Sequence, residues 1–153
     1  MVLITQGNKL ECGVVKMALD MYLEINGKQA DWETAKKILY ESGMPHLEAH
    51  RHNSLWGTLG DGEVFAEAEW GLPRRTREII AEGAHGCSFL VEGEMSFRIN
   101  NSMYDEAVAT IKAFLTALTE RTNMLFVLSF QYEGVYAIRD KERGFEWFWQ
   151  EPR

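Results

Sequence analysis

Cysteine is scarce in this chain, with Cys12 and Cys87 the only two in 153 residues. They form neither a CxxC pair nor a metal-ligand spacing, which disfavours a disulfide scaffold and a zinc ribbon and suits a reducing compartment. Basic residues are also in the minority. Against 23 Asp and Glu there are 16 Lys and Arg, for a formal charge of −7. A general nucleic-acid binder draws its affinity from neutralising phosphates, so direct binding of nucleic acid is not expected. No apolar run approaches the roughly 18 residues needed to cross a bilayer. The opening "MVLITQGNKLECG" lacks the basic and long apolar regions of a signal peptide, so a cytoplasmic location is expected. The glycines form neither GxGxxG nor GxxxxGK[ST], and no GxSxG elbow is present. No cofactor is expected.

Apolar and aromatic side chains are plentiful. They make up 46% of the chain, with five tryptophans and eight phenylalanines, enough to build a full-sized core without crosslinks. The length fits one domain over residues 1–153, with a helical part at 9–43 and a hairpin–helix–hairpin part at 54–150. Leu10, Val14, Met17, Ala18, Met21 and Ile25 have helical spacing, and Asn26-Gly27 offers a stop. A second helix is expected from Asp31, burying Trp32, Ala35, Ile38 and Leu39 and ending at Gly43, with Pro45 beyond. The short connection predicts that these two helices pack as a pair.

From Leu55 the period falls to two. Val64, Ala66, Ala68 and Trp70 alternate with Phe65, Glu67 and Glu69, which predicts a hairpin around Gly60-Asp61-Gly62. "LPRRTREIIAEG" reads as a short helix, with Pro73 in its first turn and Gly83 at its end. "CSFLVEGEMSFRIN" reads as a hairpin turning at Glu92-Gly93. Residues 103–121 carry the clearest helical stripe (Tyr104, Ala107, Val108, Ile111, Leu115, Leu118), with Ser102 as the expected cap. The tail predicts three strands joined at Glu133-Gly134 and between Asp140 and Gly144. "SFLVEGEMSFR" and "SFQYEGVYAIR" share Ser, Phe, Glu, Gly and Arg, from a duplication or from hairpins selecting similar residues. The expected class is α+β: an antiparallel sheet of successive hairpins with about four helices mainly on one face.

Three constellations carry chemistry. In "PHLEAHRH", His46 and His50 would stack one turn apart if the segment were helical, as two metal ligands do. His52 would point elsewhere, a third ligand would have to come from Glu48, Asp61 or His85, and the order is not HExxH. A polar turn is the plainer reading, so neither a metal site nor an enzyme is expected. A hydrolase centred on His46 and His50 is the alternative. The second constellation is Asp61, Glu63, Glu67 and Glu69 around Phe65, a negative strand face holding an aromatic. It is either a solvated outer face or a docking surface for a basic protein, with "RRTR" at 74–77 beside it as a neutraliser or anion binder. The third is "FEWFW", which places Phe145, Trp147 and Trp149 on one side of a strand, for core packing or for a partner. An oligomerisation module built on that edge is a further alternative.

In size, acidity and hairpin–helix organisation the chain resembles the immunity proteins of bacterial contact-dependent and type VI toxin systems, and some phage-encoded inhibitors of host defence. The likeness is one of profile, so no residue is carried over from it. It implies a protein that inhibits a cognate, basic toxin by stoichiometric binding. The expected contact residues are Asp61, Glu63, Phe65, Glu67, Glu69, Trp147 and Trp149.

Overall fold

Eight antiparallel strands and two helices make up the fold in the computed structural model, which describes residues 19–43, 48–51, 53–71, 76–84 and 86–149. In chain order they are β1 (Leu19–Asn26), α1 (Gln29–Glu41), β2 (Glu48–Arg51), β3 (Ser54–Leu59), β4 (Val64–Trp70) and β5 (Gly93–Ile99). A 3₁₀ turn (Asn101–Met103), α2 (Tyr104–Arg121), β6 (Leu125–Phe130), β7 (Gly134–Asp140) and β8 (Gly144–Trp147) follow. The sheet order is β2-β3-β4-β5-β1-β6-β7-β8.

The α+β class and the antiparallel sheet are as the patterning predicts, but the helix count is not. Among the described residues there are two helices, not about four. Nor is the sheet a simple run of hairpins. β1 is inserted between β5 and β6 and pairs antiparallel with both, so those two strands run parallel to each other and α2 carries the chain across.

The expected first helix is half corrected and half outside the described residues. Residues 9–18 are not described, and residues 19–26 form β1. Met21 and Ile25 satisfy helical spacing, but Met21, Leu23 and Ile25 also alternate with Tyr22 and Glu24, and the strand period wins because β5 and β6 are there to pair. Among the described residues α1 follows a strand, not a helix, and it lies against α2. It buries Trp32, Ala35, Ile38 and Leu39, as its spacing predicts.

α2 is where its stripe places it, with Phe114 added to the buried set and Tyr104 half-buried. Asp105 and Glu106 in its first turn and Arg121 in its last suit the helix dipole. Ser102 is not the cap. The Asn100 side chain accepts from the Ser102 N–H and closes the 3₁₀ turn that leads into the helix.

The β3–β4 hairpin and the β6-β7-β8 meander match expectation. Segments 72–83 and 87–100 do not. Residues 76–83 contain no helix, and 72–75 are not described. Residues 87–90 are not strand, Val91 makes only a bridge to Arg77, and Gly93 opens β5 instead of turning. The likeness between 88–98 and 129–139 is thus not one of two hairpins. What they share is a glycine that starts a strand, Gly93 in β5 and Gly134 in β7.

Both helices pack on one side of the sheet, in a single apolar cluster with the inward residues of β1, β3, β4, β5 and β6. A second, small cluster lies on the other side. There Val127 and Ile138 are covered by Ala81, Ile79, Cys87 and Phe89 of the 76–91 segment, which lies over the sheet as a strap. The strap covers one half of that side, and among the described residues no other segment covers the second half. Among the described residues no helix is long and apolar enough to cross a membrane.

Candidate functional site

Register places the outward side chains of the open side in rows across the strands. One row runs Trp56, Glu67, Ser96, Tyr22, Ser129, and a second runs Ser54, Glu69, Glu94, Glu24, Val127, Ile138. A third holds Thr58, Phe65, Arg98 and Asp20. The second row sets three glutamates side by side on neighbouring strands, an arrangement that repulsion alone disfavours.

The strap supplies what the row needs. Arg77 Nη1 donates to Glu24, and its Nη2 donates to Glu94 at 3.0 Å. Glu24 is fully buried, and its oxygens also accept the backbone N–H groups of Ile80 (2.7 Å) and Ala81 (3.0 Å). This explains why "REIIAE" is not helical. Two amides that a helix would commit to its own carbonyls are held by a carboxylate, and Arg77, Ile79 and Ala81 turn inward in a two-residue period.

The β6–β7 turn adds a second clamp. Gln131 and Tyr132 both have positive φ (50° and 66°), an uncommon conformation for residues other than glycine. It delivers the Tyr132 hydroxyl to Glu94 and its ring onto Tyr22, with centroids 4.6 Å apart and the Arg77 guanidinium 6.0 Å away. Burial raises the pKa of both phenols, and carboxylates reinforce it: Asp20 and Glu94 for Tyr22, Glu94 for Tyr132. The carboxylates' share of this effect marks a locally negative field, which favours cations, whereas the larger share is burial alone.

Beyond this clamp the face is an open groove of about 650 Å³, walled by Tyr22, Trp56, Phe65, Glu67, Glu69 and Glu94. Trp56 is 37% exposed and lies 6.1 Å from the Phe65 ring. Asp20 and Arg98 pair with each other at 3.0 Å on its flank.

Of the expected contact residues, Phe65, Glu67 and Glu69 stand together in the groove. Asp61 is exposed on the β3–β4 turn, outside the groove lining. Glu63 is not a surface residue. It is buried at the end of the hairpin, accepting from Thr110 Oγ1 (2.6 Å) and from the Asp61 N–H (2.7 Å). Its carboxylate lies against Gly60, where an added Cβ would come within 1.9 Å of it. Glu63 ties the hairpin to α2 instead of facing a partner.

Trp149 is also interior, with its Nε1 donating to the Tyr104 hydroxyl at 2.9 Å. Trp147 stacks on it and receives the Lys112 ammonium at 5.5 Å. Both belong to the helix side of the sheet, so "FEWFW" is mainly core.

His46 and His52 lie outside the described residues, and so does His85. The main chain of His50 is in β2, so the helical turn that would stack it on His46 is not formed there. Among the described residues no cluster of His, Cys, Asp or Glu is arranged to hold a metal ion.

Tyr22, Trp56 and Glu94 escape the sequence reading, as do Glu24 and Tyr132. Tyr22 and Glu24 were visible as the polar half of the Met21–Ile25 alternation. Glu94 and Trp56 became neighbours of Glu69 and Glu67 only through strand register. Of "RRTR", Arg74 and Arg75 lie outside the described residues, and Arg77 pairs with Glu24 and Glu94, which are not members of the acidic cluster beside it in sequence.

No protein-family model, curated protein or solved structure matches the chain.

Glu63 has a consequence for acid stability. Burial pushes its pKa up, but the bonds from Thr110, its own N–H and Asp61 outweigh that and hold it below the usual value. A depressed folded-state pKa gives stability above the unfolded carboxylate value of about 4.3 that is lost as pH falls through the folded one. Glu63→Gln is expected to lower stability at neutral pH and to flatten the decline on acidification. Urea unfolding at neutral and acidic pH measures both, and an unchanged acid limb would contradict the assignment.

Proposed function

We propose that the open half of the sheet is a docking surface for a basic protein, and that the chain acts by stoichiometric binding in the manner of an immunity protein blocking its toxin. The observation that carries this reading is the groove itself, in which Glu67, Glu69 and Glu94 share walls with Trp56, Phe65 and Tyr22. Carboxylates steer and orient a basic partner, and aromatic rings contribute contact area at little cost in side-chain entropy. The chain's charge of −7 extends the same steering to longer range. Such an inhibitor acts in the cytoplasm, which the low cysteine count suits.

The test begins with capture of the partner from the native host, followed by its affinity for the wild type and for the Glu67→Lys/Glu69→Lys double variant. The variant is expected to bind at least about tenfold more weakly, mainly through a slower association rate, and with a smaller dependence on salt. Equal affinity and equal salt dependence would remove this face from the interface.

A further inference from the structure

We infer that the partner element seated in the groove is an extended segment carrying an arginine, with an apolar side chain two residues away. This rests on the reading of the face as a docking surface and specifies what docks there.

The first support is that the protein already covers the neighbouring half of the same face in this way. In the strap, Arg77 lies between the Glu24 and Glu94 carboxylates and near the Tyr132 ring. Ile79 and Ala81, two and four residues on, pack toward Val127 and Ile138, while Glu78, Ile80 and Glu82 face solvent. The inward pattern is cation, apolar, apolar at a two-residue period, the period of an extended chain.

The second support is that the open half offers the same chemistry in the same rows. Glu94 is common to both halves, Glu69 continues its row, and Glu67 stands in the next row beside Trp56. Trp56, Phe65 and Tyr22 form the apolar walls that Val127 and Ile138 form under the strap. About 650 Å³ is room for a few side chains.

Arginine fits better than lysine. Its fork can meet two carboxylates at once, and its plane stacks on rings such as Trp56 and Tyr22. Charge complementarity selects a cation, and the aromatic walls select its apolar neighbour.

The probe is a capped hexapeptide with an arginine and an isoleucine two residues apart in a serine background, titrated at low salt into the full-length, ¹⁵N-labelled protein. Two analogues replace the arginine by lysine or by citrulline, which keeps the shape and removes the charge. The expected result is amide shifts confined to β3, β4, β5 and Tyr22, weaker with lysine and at least about tenfold weaker with citrulline. Glu67→Gln and Trp56→Ala should each reduce the effect. Both positions are exposed, so both variants are expected to fold.

Shifts that are absent from the groove, or equal with citrulline, would overturn the arginine segment. If that happens while Glu67→Lys/Glu69→Lys still weakens capture of the native partner, the docking surface survives and only its occupant is wrong. If capture is also unaffected, both readings fall.

Discussion

Replacing Glu24 by alanine is expected to cost about 3–5 kcal/mol of stability, among the largest losses available to a single substitution in this chain. The carboxylate is fully buried and receives Arg77 and two backbone amides. Removing it leaves the Ile80 and Ala81 N–H groups without their acceptor, the second of them buried. It also takes from the Arg77 guanidinium one of its two carboxylates, with Glu94 and the Glu78 carbonyl remaining. Buried donors that lose a partner cost more than the bond they made. Repulsion between Glu24 and its neighbour Glu94 would be relieved, but that exchange is smaller. Glu24→Gln is expected to fall between wild type and alanine, because one amide oxygen can still accept while the charge is gone. Urea unfolding gives the magnitude, and hydrogen exchange at Ile80 and Ala81 shows whether the strap opens first. A loss below about 1 kcal/mol for the alanine variant would mean the strap is held by its apolar contacts and not by this carboxylate.

The second large effect is expected at Gly93. An added Cβ there would lie 2.3 Å from Trp32 Cζ2 and 2.7 Å from both Trp32 Cη2 and Trp70 Cβ. Neither neighbour is the loose end of a flexible chain. The two indoles stack at 4.8 Å and 4°, and both are buried. Gly93 is also in register with Ile25 on one side and Trp70 on the other, so β5 cannot shift away without breaking two ladders. Gly93→Ala is therefore expected to destabilise by about 3 kcal/mol, the upper part of the range for overpacking, and Gly93→Val by more. The cost should shrink in a Trp32→Leu background, where the clashing ring is gone. Full additivity of the two substitutions would show that space under Trp32 is not the cause.

How legible the fold was depended on whether an element's partners were local. α1 and α2 were readable because each buries a stripe set by its own spacing. The β3–β4 hairpin and the final meander were readable because their strands pair with the next strand in sequence. β1 was not, since its partners are β5 and β6, far along the chain, and Met21 and Ile25 fit either period.

The strap shows the same limit. "REIIAE" alternates, yet Pro73 and Gly83 around it suggest a helix. The tie is broken by Glu24, whose position over those amides follows from sheet order. Glu63 and Glu67 have equal claims to a surface role on paper, four residues apart in an acidic stretch. Only the packing of α2, which brings Thr110 to Glu63, separates them.

The sequence by itself determined the class, the two helices and their buried faces, the acidic character, and the strand face on which Phe65, Glu67 and Glu69 stand. These follow from local periodicity and composition, which each segment carries with it. The tertiary structure alone decided that Tyr22, Trp56 and Glu94 join them, that Arg77 closes one half of the face, and that Glu63 and Trp149 are interior. Those outcomes depend on register between strands distant in sequence. A sheet's register is set by the whole set of facing side chains at once.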